Sequence, residues 1–220
     1  MGHPLLEHIL NFKKNLSVSK KEFIETHSLE VGKPIISLIP GSRKQEIEKK
    51  LPVMLKAVSR YYKDFNIVIA GMKNFKDLYG EISFNSKAKV IYNDTYNLLN
   101  NSNRALVTSG TATLETAFFN VPQVVVYKTS WVSYLIAKTL VKIKYISLVN
   151  LIMNKEVVKE LIQNNLSVLR LTNELIKFDD SLPLNKIQKD YQLLISKCQG
   201  DNVSKNIATD MFKTIDSFQK

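Results

Sequence analysis

A single cysteine, Cys198, stands in 220 residues, so no disulfide closes within the chain and the usage fits a reducing compartment. Glycine (7) and proline (6) are few, as in an ordinary globular protein, and no repeat or low-complexity segment interrupts the chain. No apolar run approaches the ~20 residues of a membrane-spanning helix, and the N-terminus lacks the charged, apolar and small-residue order of a secretory signal. These absences predict a cytoplasmic location. The three histidines, His3, His8 and His27, have neither i, i+4 spacing nor Cys or carboxylate companions, so no metal site is expected. There is no P-loop lysine motif, no Gly-x-Gly-x-x-Gly run and no Ser/His/Asp grouping, which removes the support for a kinase, a dehydrogenase or a hydrolase. Helix-turn-helix, RNP and zinc signatures are missing too, so nucleic acid is not the expected partner.

What is present is charge and a core. Lys and Arg number 31 against 20 Asp and Glu, for a net charge of +11, which favours an anionic partner without choosing among nucleic acid, acidic lipid headgroups and phosphorylated metabolites. At 45% hydrophobic residues the chain can bury a sizeable core as one large or two small domains.

Along the chain, short apolar runs alternate with helical periodicity. After a helix over 17–28, strands are expected at 33–39, 66–71, 88–92, 105–108 and 123–127. Helices are expected between them at 44–62, 74–82, 95–101 and 111–119, the first broken or kinked near 49–51 by Pro52. Periodicity assigns no element before residue 17. Strands and helices in this order imply right-handed βαβ crossovers, a parallel sheet and an α/β, Rossmann-like domain. Residues 131–145 are apolar on most sides and either pack on the sheet or lie on a membrane surface. Beyond Lys155 the pattern predicts helices at 156–163, 167–176, 184–198 and 203–218.

Two small-residue loops follow strands and therefore share the carboxyl edge of the sheet, where open α/β sheets bind ligands. The first, Pro40-Gly41-Ser42-Arg43, carries a guanidinium suited to phosphate oxygens, unless Arg43 only pairs with Glu46 or Glu48. The second, Ser109-Gly110-Thr111-Ala112-Thr113-Leu114-Glu115, either is a capped helix start or uses unpaired amides, the helix dipole and the hydroxyls of Ser109, Thr111 and Thr113 to hold an anion. Glu115 either accepts hydrogen bonds from vicinal ribose hydroxyls or simply favours the helix N-terminus. The residues alone thus indicate a phosphate-binding α/β domain.

An ordered set of blocks resembles the C-terminal half of the lipid-A-disaccharide synthase family: Gly2-His3-Pro4-Leu5, Leu38-Ile39-Pro40-Gly41-Ser42-Arg43 with Glu46-Ile47 and Leu51-Pro52, residues 109–115, Tyr145-Ile146-Ser147-Leu148-Val149-Asn150-Leu151, and Glu156-Val157-Val158 with Glu160-Leu161-Ile162-Gln163. The resemblance covers residues 1–163. It implies the GT-B architecture of two Rossmann-like domains around a cleft, and an inverting transferase that needs no cofactor. That enzyme joins the donor UDP-2,3-diacylglucosamine to the acceptor 2,3-diacylglucosamine 1-phosphate and releases UDP. Residues 1–32 are then a segment entering from a missing N-terminal domain, 33–163 the UDP-sugar domain, and 164–220 C-terminal helices packed on it. The resemblance further implies that Gly41, Ser42, Arg43 and the loop Ser109, Gly110, Thr111, Ala112 and Thr113 hold the diphosphate. Arg43 would be catalytic, Glu115 would face the ribose, and Asn150 would line the cleft. Val149 stands where the family typically has proline. The other expected partner is an anionic membrane, met by Lys138, Lys142 and Lys144 beside Trp131 and Tyr134 on the cytoplasmic face of the inner membrane. A different UDP-N-acetylglucosamine-using GT-B enzyme, or a non-catalytic basic binding module, are the alternatives.

Overall fold

Six parallel strands dominate the computed structural model, which describes residues 2–129 and 144–218. They are β1 (Ile35–Ile39), β2 (Asn66–Gly71), β3 (Lys89–Tyr92), β4 (Arg104–Thr108), β5 (Gln123–Tyr127) and β6 (Lys159–Ile162), in the order β3-β2-β1-β4-β5-β6. The four inner strands are buried almost throughout, which explains their continuous apolar sequence. Only the four-residue edge strands β3 and β6 expose residues, Lys89 and Lys159 among them.

Alternate strand residues feed two cores. Ile35, Ile39, Val68, Val107 and Val125 point to one, with α1 (Pro4–Lys14), α5 (Thr95–Asn101), α6 (Thr111–Phe118), α7 (Leu148–Met153) and α9 (Ser181–Cys198). Ile36, Leu38, Ile67, Leu106 and Val124 point to the other, with α3 (Lys44–Val58), α4 (Lys76–Ser83) and α8 (Val168–Ile176). The helix α2 (Lys20–Thr26) contributes Phe23 and Ile24 to the first core. The last helix, α10 (Val203–Phe218), lies against α1. The result is the helix–sheet–helix sandwich that the alternating sequence predicts. Among the described residues, no helix is long and apolar enough to cross a membrane.

The structure departs from the periodicity in several places, among them helix α7, where the periodicity assigns no element. The opening residues form α1: His3 Nδ1 accepts the Leu5 amide, Pro4 occupies the first turn, and Leu6 and Ile9 are buried. Its Glu7 carboxylate accepts the amide and hydroxyl of Ser204 at the start of α10. Helix α3 runs unbroken through Pro52; the carbonyl that this proline leaves free belongs to the exposed Glu48, where water can satisfy it. Residues 159–162, expected to be helical, are instead strand β6. Pairing with β5, from Val124↔Lys159 to Tyr127↔Ile162, outweighs helix propensity there. The apolar stretch 131–143, with Trp131, Tyr134, Lys138 and Lys142, lies outside the described residues.

Strand β6 is tied to α7 by Asn150. Its Oδ1 accepts the amides of Val157 (2.8 Å) and Val158 (3.0 Å), while Nδ2 donates to Val158 O and Glu160 Oε1, each at 2.8 Å. Glu160 in turn accepts the amides of Ile146 and Ser147. Val149 occupies the first turn of α7, a position that also suits proline. Asn150→Ala leaves several of these buried groups unpaired, and urea unfolding is expected to show a loss of about 3 kcal/mol. A loss under about 1 kcal/mol contradicts the anchoring role.

Candidate functional site

Strands β1 and β4 are neighbours, yet their helices pack on opposite faces, α3 in one core and α6 in the other. This divergence opens a crevice at the carboxyl edge, the topological switch point of the sheet. A cavity of about 490 Å³ occupies it. Eight of the ten expected site residues line it: Gly41, Ser42, Arg43, Ser109, Gly110, Thr111, Ala112 and Glu115. The other two do not. Thr113 is fully buried with its hydroxyl donating to Gly110 O at 2.8 Å, and every side-chain hydrogen bond of the fully buried Asn150 goes to the protein.

Both helix N-termini face this cavity without a side-chain cap. Gly110 precedes α6 at φ 142°, ψ −162°, a region essentially reserved for glycine. The amides of Thr111 and Ala112, in the first turn, have no intrahelical acceptor. Gly41 has φ 117°, a conformation that L side chains rarely adopt, so the loop before α3 also depends on glycine. Of the hydroxyls expected to serve a ligand, that of Ser109 donates to Ile146 O at 2.8 Å; Thr111 is exposed and keeps its own free among the described residues.

The Arg43 side chain is exposed and has no ion-pair partner among the described residues. The carboxylates expected to compete for it are engaged elsewhere. Glu48 lies 3.9 Å from Lys44, while Glu46 accepts the Ser42 amide at 3.2 Å and lies 3.6 Å from Lys50 Nζ. Lys50 is 1% exposed and donates to Thr108 Oγ1 at the end of β4, so a buried cation braces one loop against the other. Burial pushes its pKa down, partly opposed by Glu46, while the nearby Arg43 adds to the lowering. The periodicity contains this residue: Lys50 follows Glu46 by four and shares the buried stripe of Ile47, Leu51 and Met54.

Across the crevice Tyr96 donates from its hydroxyl to Glu115 Oε1 at 3.3 Å. Burial raises the Glu115 carboxyl above its usual range, with the Tyr96 hydrogen bond and His8 opposing it. Burial and the neighbouring carboxylate push the Tyr96 phenol up to about 12. Tyr96, Thr95 and Met72 complete the far wall. They follow β3 and β2, and the rule that gave the first two loops, applied to those strands as well, would have found them. Among the described residues, no group of three His, Cys, Asp or Glu side chains could hold a metal ion.

The family model for lipid-A-disaccharide synthetase matches residues 1–212. Lipid-A-disaccharide synthase of Solibacter usitatus is 34% identical over 184 residues, 80% of this chain and 46% of that protein. The Sulfurihydrogenibium synthase is 31% identical over 231 residues, 98% of this chain and 58% of its own length. The chain thus spans about half the length of the curated relatives it matches. Among solved structures, a glycosyltransferase from Rickettsia africae superposes with a TM-score of 0.59 at 16% identity, over 89% of this chain and 51% of that one. WaaG, a glycosyltransferase of lipopolysaccharide biosynthesis, gives 0.55 at 12% identity over 86% and 49%. These likenesses establish the fold, an α/β domain of the GT-B glycosyltransferase type.

Removing the buried cation tests the brace. Lys50→Met leaves Glu46 without its cation and Thr108 Oγ1 without its donor, so a loss of stability near neutral pH is expected. The native Lys50 binds its proton less tightly than the unfolded chain does. Wild-type stability should therefore gain on the variant as pH rises from the depressed folded pKa towards 10.5. Parallel stability–pH curves for the two proteins contradict this.

Proposed function

The chain belongs to the lipid-A-disaccharide synthetase family, and we propose that it is the donor-nucleotide half of an inverting glycosyltransferase of lipid A biosynthesis. The donor is UDP-2,3-diacylglucosamine, the acceptor 2,3-diacylglucosamine 1-phosphate, and the product the β-1,6-linked disaccharide. The observation that carries this reading is the crevice between β1 and β4, where the unpaired Arg43 meets two uncapped helix N-termini.

In this reading the diphosphate lies across the Gly41–Ser42–Arg43 and Ser109–Ala112 loops. Negative charge grows on it as the bond to the sugar breaks. Arg43 and the first amides of α6 are aimed at that charge beforehand, so they stabilise the departing UDP more than the bound donor. Glu115, held by Tyr96, accepts the ribose hydroxyls. The acceptor hydroxyl attacks from the opposite face of the sugar, which inverts the anomeric carbon. Its general base belongs to the other wall of the cleft, an N-terminal domain supplied in cis or in trans. Residues 33–163 are the donor domain, 1–32 lead in from that other domain, and 164–220 cover the donor domain. The lipid substrates and the net charge of +11 support work on the anionic cytoplasmic face of the inner membrane.

In the complete two-domain enzyme, Arg43→Ala is expected to raise the barrier to transfer by about 2–4 kcal/mol, the scale for losing one charge-stabilising donor. Turnover near the wild-type rate at saturating substrate would sink the assignment. The purified 220-residue chain is expected to bind UDP, followed by calorimetry, and to make no disaccharide; measurable synthesis by it refutes the half-site reading.

A further inference from the structure

The helix that opens the chain, α1, packs behind the wall of the cavity that carries Tyr96 and Glu115. These two residues sit on α5 and α6, and α1 touches both helices. Three rings pack around that of Tyr96: His8 at 5.7 Å and Phe12 at 5.3 Å from α1, and Phe119, just past α6, at 5.5 Å. Phe12 meets Phe119 edge-on at 6.0 Å, so the rings form one cluster. Lys13 adds a polar latch, its Nζ donating to Phe118 O at 2.8 Å and lying 4.8 Å from the Phe119 ring centroid. A phenol held in this way has little freedom to swing, and its hydroxyl is delivered to one place, Glu115 Oε1. The second oxygen of that carboxylate has no hydrogen-bond partner among the described residues. Burial disfavours the ionised carboxyl, and the Tyr96 hydroxyl opposes this by donating to it. The result is a half-buried carboxylate on a cavity wall, with one oxygen pinned and the other left as an acceptor.

We infer that Tyr96, held by α1 and Phe119, is a positioning residue: it sets Glu115 to accept the 2′-hydroxyl of the bound nucleotide, and the site thereby selects ribonucleotides over 2′-deoxyribonucleotides. This rests on the proposed donor role of the cavity. Glu115 touches the ribose, while Tyr96, Phe12 and His8 act through it. A freely turning carboxylate would have to be ordered each time a nucleotide bound, and part of its hydrogen bond to the sugar would be lost to that ordering. With the ordering done beforehand by the ring cluster, the bond is realised in full. Helix α1 therefore belongs to the specificity of the donor site as well as to the path by which the chain enters the domain.

Calorimetry on the 220-residue chain with UDP and 2′-deoxy-UDP as separate probes tests this. UDP is expected to bind about tenfold more tightly, the scale of one hydrogen bond to a charged acceptor. Tyr96→Phe keeps the ring and its packing; it should reduce the preference to about threefold, by weakening UDP while 2′-deoxy-UDP keeps its affinity. Glu115→Ala should abolish the preference, and adding Tyr96→Phe to it should weaken UDP no further, because the tyrosine acts through the carboxylate. Phe12→Leu, which keeps apolar volume on α1 but removes the ring, should lower the preference in the same direction. Three results overturn the inference: a preference unchanged in Tyr96→Phe, equal weakening of both nucleotides by it, or additive effects of Tyr96→Phe and Glu115→Ala. Equal weakening makes Tyr96 a packing residue only, and a preference unchanged in Phe12→Leu overturns the part assigned to α1. UDP bound with no preference for the ribose overturns the inference and leaves the proposed donor role standing, whereas a chain that binds neither nucleotide removes the donor role as well.

Discussion

The parallel pairing of β1 with β4, from Ile36↔Arg104 to Ile39↔Val107, is the constraint on which the rest depends. These strands are adjacent in the sheet but far apart in sequence, and each must hand its chain to a helix on a different face. The loops leaving them cannot close over one another, and an open seam at the carboxyl edge follows from the topology alone. Everything at that seam, including the two glycine-dependent turns and the two uncapped helices, is a consequence of where the chain turns away. Burial of both faces of the inner strands keeps the seam in register, since a slip of one residue would exchange the two cores.

The seam is kept at some expense in stability. Gly41 and Gly110 hold conformations in which most residues are strained, and the first amides of α6 lack an intrahelical partner. Two ionisable groups of opposite type point the same way. Burial disfavours the charged form of Lys50 and also that of Glu115, so each lowers stability when ionised near neutral pH. For Glu115 the loss grows as pH rises above the ordinary carboxylate value, and for Lys50 it fades as pH approaches the ordinary lysine value. A wall made of strained turns and discouraged charges is what a preorganised anion site requires.

Much of this was legible in the residues. Continuous apolar runs gave the four inner strands because strands buried on both faces tolerate little else, and the shorter run at 88–92 gave the edge strand β3. The two small-residue loops fell on one sheet edge by the same logic, and eight of their expected contacts meet in a single cavity. The failures have physical causes. Strand β6 is short, carries charged residues and gains its conformation from β5, so its own sequence carries a weak signal. Asn150 resembles a ligand-binding amide until its four partners are known, because burial and hydrogen bonding are properties of the fold and not of the residue. Lys50 was hidden for the opposite reason: a lysine in a charged helix is normally assigned to solvent. Thr113 failed by geometry, its hydroxyl turning back onto Gly110.

The sheet also ends in a telling way. Both outermost strands, β3 and β6, are four residues long, shorter than the five or six of the inner strands, and each carries an exposed lysine on its rim. A rim that is brief and charged offers poor purchase to a seventh strand, whether from a neighbouring molecule or from a partly folded copy of the same chain. A domain whose interior is so rich in valine and isoleucine would otherwise be a template for fibrils. The features that oppose such pairing are a few residues at the periphery of the sheet, Lys89 and Lys159 among them.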